Sequence, residues 1–225
     1  MMTADFEQQR IRMVDGQLRA TDVNDIPIVD AMAVVPREAF VPASRKALAY
    51  IDDDVEVAPA RDGRSARFLM KPSPFGRLLQ LAEPRSGDRV LDVGAGTGYS
   101  SAVLSRIVAS VVALESDPSL AAEASAVLAA QGCGNVKVVE GALAAGHAAD
   151  APYDVIVING SVDAVPQSLL DQLAEGGRLV AVIGRGNAGR AALHLREGGL
   201  ISILRGFNAA LKPLSEFDRV PEFEF

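Results

Sequence analysis

Two acids and three glycines carry the clearest chemical signal in this 225-residue chain. Asp92 stands two residues before Gly94, and Gly94, Ala95, Gly96, Thr97, Gly98 and Tyr99 follow in one run. Glu115 lies 23 residues beyond Asp92. Glycines in a strand-to-helix turn permit positive φ and let ligand atoms approach the backbone, while the helix start supplies free N–H groups. An acid closing the next strand can accept hydrogen bonds from both hydroxyls of a ribose; the alternative is a solvated strand-end acid. Asp92 is placed either to reach a ligand amino group or to cap the glycine turn. A dinucleotide fingerprint sets its glycines at relative positions one, three and six. Here they fall at one, three and five, and Tyr99 takes the sixth place.

The elements that must hold these residues follow from the apolar pattern. Residues before about 85 read as a helical, irregular layer. It comprises a helix over 5–18, a second capped by Asn24 or Asp25 and ended by Val35 before Pro36, a loop over 51–66, and a helix over 72–82. Beyond 85 the chain alternates. Strands are expected at 89–93, 110–115, 135–140, 153–159 and 178–183, and helices at 99–108, 118–131 and 166–174, the last stopped by Gly176-Gly177. Two apolar runs, 191–196 and 200–207, flank Glu197-Gly198-Gly199, which is hairpin chemistry. The expected division is therefore 1–84 as an N-terminal helical and acceptor-loop layer and 85–225 as the core, in one continuous unit. Parallel strands closed by an antiparallel hairpin give an α/β, Rossmann-like S-adenosylmethionine-dependent methyltransferase fold. The glycine spacing, with Asp92 before it and Glu115 after, names S-adenosyl-L-methionine as the cofactor. Tyr99 either covers the methionine end of that cofactor or packs the first helical turn.

Composition narrows the rest. A net charge of −7 argues against a dedicated nucleic-acid enzyme, which needs basic groups for phosphates. One cysteine, Cys133, and two distant histidines, His147 and His194, offer neither a disulfide nor ligand spacing for a metal. Cys133 reads as an inert thiol, His147 as a loop residue and His194 as a strand residue with a satisfied ring. No apolar run is long enough for a membrane span, and the polar first ten residues suit a cytoplasmic protein. The segment FDRVPEFEF at 217–225 reads equally as a docking tail or a frayed end.

RVLDVGAGTGYSSAVLSRI resembles the first motif of the protein-L-isoaspartate O-methyltransferases. VVALESD, APYDVIVING and VPQSLLDQLAEGGRLVAVIG resemble their later segments, and AMAVVPREAFVP (residues 31–42) resembles their VPR-containing helix end. The likeness spans about residues 10–215. It implies methyl transfer to the α-carboxylate of an isoaspartyl residue in damaged protein. Such an acceptor, with a pKa of ~4, is already ionised and needs no general base, which matches the lack of any base–nucleophile constellation.

The departures from the family concern the acceptor. Aligning Pro72 with the family's loop proline sets Met70 where the family has a serine, and Lys71 where it has a glutamine. Ser65 or Ser73 supplies the hydroxyl if the register differs. Arg61, Arg64, Arg67 and Lys71 could hold an anionic acceptor, or form a solvated loop offsetting Asp52 to Asp54. Gly141-Ala142-Leu143 replaces a GDG segment, leaving the adenine contact to backbone or Glu140, and Asn159-Gly160 replaces Thr-Ala. Three readings stay open: a protein or peptide acceptor, a small carboxylate acceptor, and a catalytically silent S-adenosylmethionine binder. Base methylation is disfavoured, because the strand end Asn159-Gly160-Ser161-Val162 lacks the proline pair and aromatic that grip a flipped base. Oligomeric state stays open.

Overall fold

Asp5 opens the first helix: its carboxylate accepts from the backbone N–H of Gln8 at 3.0 Å, starting α1 (Phe6–Met13). The structure, a computed structural model, describes residues 5–61 and 64–218. The expected 5–18 helix is not uniform. It widens into a π turn over Val14–Leu18, tightens into a 3₁₀ turn over Arg19–Thr21, and stops at Asp22 with φ of 64°. Gly16, a poor helix former, lies inside the widened turn. Of the two cap candidates for α2 (Ile26–Val34), Asp25 does the capping, accepting from Ile28 N at 3.1 Å. Asn24 instead donates its backbone N–H to Gln80 Oε1 at 2.8 Å.

The expected loop at 51–66 contains a strand. β1 (Val55–Ala58) pairs antiparallel with β2 (Arg67–Leu69), Val55 facing Leu69. The alternation of buried Val55 and Val57 around Glu56 is too short to stand out beside Asp52–Asp54 and Pro59. α3 (Pro72–Ala82) follows as expected and buries Phe75, Leu78, Leu79 and Ala82. Its end is tied to the sheet by Arg178, which donates to the Glu83 carbonyl and pairs with Asp88 at 2.7 Å.

The remaining strands form one seven-stranded sheet. They are β3 (Arg89–Val93), β4 (Ser110–Glu115), β5 (Val136–Glu140), β6 (Tyr153–Val162), β7 (Leu173–Ile183), β8 (Arg190–Glu197) and β9 (Leu200–Asn208). The order is β5-β4-β3-β6-β7-β8-β9; the first five run parallel, and β8 and β9 close it as an antiparallel hairpin turned by Gly198 (φ 59°) and Gly199 (φ 76°). Helices α4 (Tyr99–Ser105), α5 (Pro118–Ala130) and α6 (Gln167–Leu170) link the strands. The 166–174 helix shrinks to those four residues. Gly176-Gly177 do not stop a helix but make an irregularity within β7, where a Cβ on Gly177 would lie 2.7 Å from the Ala174 carbonyl oxygen.

Alternation along the strands builds two cores. Val90, Val111, Val155, Val157, Val180 and Val182 pack with the N-terminal layer in one continuous cluster that includes Leu18, Met32, Phe40 and Phe75. Leu91, Val93, Leu114, Ile156, Ile158 and Leu179 form the other, with Leu143, Leu169, Leu214 and Phe217. β6 is buried on both faces, as its VIVI run predicts. The tail assigned to 217–225 lies outside the described residues after Asp218.

Candidate cofactor site

The strand order reverses between β3 and β6, and in open α/β sheets ligands bind beyond the carboxyl ends of the strands at such a point. The glycine loop stands there. Gly94, Gly96 and Gly98 have φ of 74°, 56° and 95°, conformations that side-chain-bearing residues avoid. Gly94 N and Ala95 N donate to the Leu114 carbonyl at 2.9 and 3.1 Å, fixing the loop to β4. A Cβ on Gly98 would sit 3.0 Å from Leu128 Cδ1, so α4 packs directly on α5.

Asp92 is fully buried at the end of β3. Its Oδ2 accepts from Ser100 Oγ at 2.6 Å and from Ser101 Oγ, and its Oδ1 accepts from Asn159 Nδ2 at 2.5 Å. Burial pushes its carboxyl above the ordinary range, against the pull of those three hydrogen bonds. Asp92 thus joins β3, α4 and β6.

Glu115 is also fully buried, which removes the solvated reading. Its Oε1 accepts from Ser116 N at 2.8 Å and Asp117 N at 3.0 Å; its Oε2 accepts from Gly96 N at 2.8 Å and Arg67 Nη2 at 2.7 Å. Arg67 Nη1 reaches Glu216 Oε1 at 3.0 Å, and Ser116 Oγ donates to the same oxygen at 2.7 Å. Burial would raise the Glu216 carboxyl; the Ser116 hydrogen bond and the Arg67 charge outweigh it and hold the group below its usual range.

The other expected cofactor residues divide by direction. Ala95 is buried in the loop, and Gly141 N donates to the Glu115 carbonyl at 3.0 Å. Ala142 is exposed, before a short turn over Leu143–Ala145. Thr97 Oγ1 donates away from the cleft, to the Phe40 carbonyl at 2.6 Å. The Tyr99 ring packs in the core, with Phe40 and Phe75 centroids at 5.7 and 5.8 Å and the Arg37 guanidinium carbon 4.9 Å above it.

The acceptor-loop candidates do not converge. The Met70 side chain is buried in the core, and the Lys71 backbone N–H donates to Asp54 Oδ1 at 2.9 Å. Ser73 Oγ donates to Thr21 Oγ1 at 2.9 Å, while Ser65 is exposed beside Arg64 and Glu216. Nor are the loop arginines a free anion site or a solvated offset to Asp52–Asp54. Arg61 and Arg64 approach Asp117 at 3.3 and 3.5 Å, and Arg67 holds Glu115 and Glu216. Asp117 is held well below the carboxylate range, first by the Ser119 hydroxyl. His194 is buried in β8 with Nδ1 lacking a partner among the described residues, so its ring is only partly satisfied.

Three contributors escaped the sequence reading. Arg37 is fully buried, donating Nε to the Ala49 carbonyl and Nη2 to the Met70 carbonyl, each at 2.6 Å, and so fixes the acceptor-loop backbone. An arginine between the apolar runs of VVPREAFV was its only signal. Leu214 had none, and Phe217 reads in the sequence only as the start of a docking or frayed tail. Both are buried, and Leu214 lies over the switch point: a Cβ on Gly94 would be 3.2 Å from its Cδ1, and one on Gly160 2.7 Å from its Cγ.

A glycine loop at the switch point, an acid ending the adjacent strand and a sheet closed by an antiparallel hairpin define the class, a Rossmann-like S-adenosylmethionine-dependent methyltransferase. The family model described as Protein-L-isoaspartate(D-aspartate) O-methyltransferase (PCMT) matches residues 9–210, and the chain belongs to that family. It is 40% identical over 190 residues to Protein-L-isoaspartate O-methyltransferase 1 of Rhodopseudomonas palustris, covering 84% of this chain and 75% of that protein. To the Protein-L-isoaspartate O-methyltransferase of Methanoregula boonei it is 38% identical over 176 residues, 78% of each chain. A solved protein-L-isoaspartate O-methyltransferase superposes with a TM-score of 0.78 at 27% identity, over 90% of this chain and 65% of that one. The beta-aspartate methyltransferase (PCMT) structure from Plasmodium falciparum, in complex with S-adenosyl-L-homocysteine, shares the fold at a TM-score of 0.75 and 18% identity, over 95% of this chain and all of that one. The cofactor is S-adenosyl-L-methionine. The residue set fits it: a buried strand-end carboxylate beside the Gly96 N–H, with nothing among the described residues, its chain neighbours aside, within 4 Å of where a Gly96 Cβ would stand.

Proposed function

We propose that the chain methylates the α-carboxylate of L-isoaspartyl residues in damaged proteins, acting in the cytoplasm on a protein or peptide acceptor. The observation that supports this most directly is membership of the isoaspartyl methyltransferase family, to which the acceptor loop adds a fixed backbone. Arg37 and Asp54 clamp the backbone of Met70 and Lys71 at the start of α3. Glu115 is the group to hold the ribose hydroxyls, Gly141 and Ala142 border the adenine, and Gly96 leaves room for the cofactor backbone. Asp92 acts on the cofactor indirectly, by fixing the loop through Ser100, Ser101 and Asn159.

Bound there, the cofactor supplies a methyl group on a positively charged sulfur. The chain's task is then to orient a carboxylate and remove water from it, since an acceptor with a pKa of ~4 is ionised at neutral pH and asks for no base. The test is incubation with labelled S-adenosylmethionine and an isoaspartyl peptide. A base-labile methyl ester on that peptide, missing from its aspartyl counterpart, is expected. Cofactor binding without any ester would overturn the assignment. The burial of Met70 and the engagement of Ser73 with Thr21 favour a second reading, a small carboxylate acceptor; a methylated metabolite from an extract, with isoaspartyl peptide inert, would establish it.

A further inference from the structure

We propose that residues 212–217 form an internal strap that fills the cofactor cleft, with Arg67 in the ribose position, and that the cofactor enters only when the strap leaves. The strap begins where β6 ends. Ser161 N donates to the Lys212 carbonyl and Leu214 N donates back to the Ser161 carbonyl, both at 3.0 Å, so it continues the sheet at the switch point. Leu214 then covers Gly94, just past the end of β3, and Gly160, near the end of β6, the two strands between which the order reverses. Glu216 comes next, joined to Ser116 and Arg67 beside the Glu115 carboxylate. Phe217 follows, buried in the cluster of Leu143, beyond the end of β5.

The path runs from the switch point, past the acid of β4, to the turn after β5. The topology assigns that same path to an adenosyl ligand. The acid itself is saturated. Glu115 accepts four close donors, and the one side-chain charge among them is the 92%-buried Arg67, in the place that ribose hydroxyls must take. Gly160 makes the arrangement possible, because a Cβ there would stand 2.7 Å from Leu214 Cγ and 3.0 Å from the Lys212 carbonyl oxygen. A glycine at that point admits the strap; any larger residue pushes it out.

The closed state taxes affinity in proportion to its population, so a strap closed nine-tenths of the time weakens cofactor binding about tenfold. The proposal rests on the cofactor lying in this cleft and is indifferent to which acceptor is methylated. Calorimetry with S-adenosylhomocysteine on the full chain, Gly160→Ala and Leu214→Ala/Phe217→Ala, together with amide hydrogen exchange, tests it. The amides of Leu214 and Phe217 are both hydrogen-bonded, which makes strap release readable. Binding about tenfold tighter in both variants is expected, with ligand speeding exchange at 212–217 while protecting 94–99. If only one variant folds, as judged by circular dichroism, that variant carries the comparison. Protection of 212–217 by the ligand would make the strap a wall of the bound site and overturn the proposal. So would equal or weaker binding by the variants, or no binding by any of the three proteins. Lack of peptide methylation with these binding results intact would touch only the acceptor assignment.

Discussion

Replacing Glu115 by glutamine tests the reasoning about the site most sharply, because the two side chains differ by one polar atom. Glu115 is fully buried and accepts four close donors, two on each oxygen. A glutamine can turn its carbonyl oxygen to Ser116 and Asp117, but its amide then faces the Gly96 N–H and the Arg67 guanidinium, donor against donor. Turning it over only exchanges which pair is lost. Arg67 keeps Glu216, whose side chain is 34% exposed, so the guanidinium loses its buried partner and keeps a partly screened one. Breaking one side of a buried ion pair costs about 3–5 kcal/mol. For a chain of this size that corresponds to a fall in Tm of about 6–20 °C. Urea unfolding followed by circular dichroism, with an unchanged m-value, measures it. Combining Glu115→Gln with Arg67→Met, which removes the stranded cation, should recover part of the loss. A single-variant loss under about 1 kcal/mol, the scale of an exposed pair, would refute the view that this carboxylate organises the loop.

Arg37→Met removes two charge-assisted bonds to carbonyls and should cost about 2 kcal/mol or more, with faster amide exchange at 67–72; unchanged exchange there would deny it the clamping role. Gly98→Ala must hold φ near 95° and pushes a methyl to 3.0 Å of Leu128, so a loss of about 1–3 kcal/mol in thermal unfolding is expected. Glu216 has a folded-state pKa below its unfolded value, so its stabilisation is complete above the unfolded carboxylate range and is lost as pH falls through the folded value. The stability difference between the wild-type chain and Glu216→Gln should therefore shrink on acidification; a difference that grows would reverse the sign.

Most of the sheet was readable because strand periodicity and loop glycines are local signals. The first two strand–helix alternations, the hairpin at Gly198-Gly199 and the placing of Asp92 and Glu115 at neighbouring strand ends all stood in the pattern of residues. The failures share a cause. Residues 166–174 carry a helical pattern, yet parallel pairing of Leu173 with Tyr153 draws the chain into β7 early. Val55 to Ala58 becomes a strand only because Arg67 to Leu69 lies beside it. Arg67 reads as one more basic residue of a polar loop, and nothing local says that it is buried against Glu115. Leu214 and Phe217 gain their positions from contacts with Gly160 and Leu143, which tertiary structure alone supplies.

The burial of Leu214 and Phe217 also bears on the chain in the periods when it lacks ligand. A cleft shaped for an adenosyl group has apolar walls, and an empty one would present them to water and to other proteins. Here Leu143, Ile158 and Val93 are covered from within the same chain. Leu214 and Phe217 therefore keep the apolar side chains at the carboxyl ends of β3, β5 and β6 out of water with groups of the same chain.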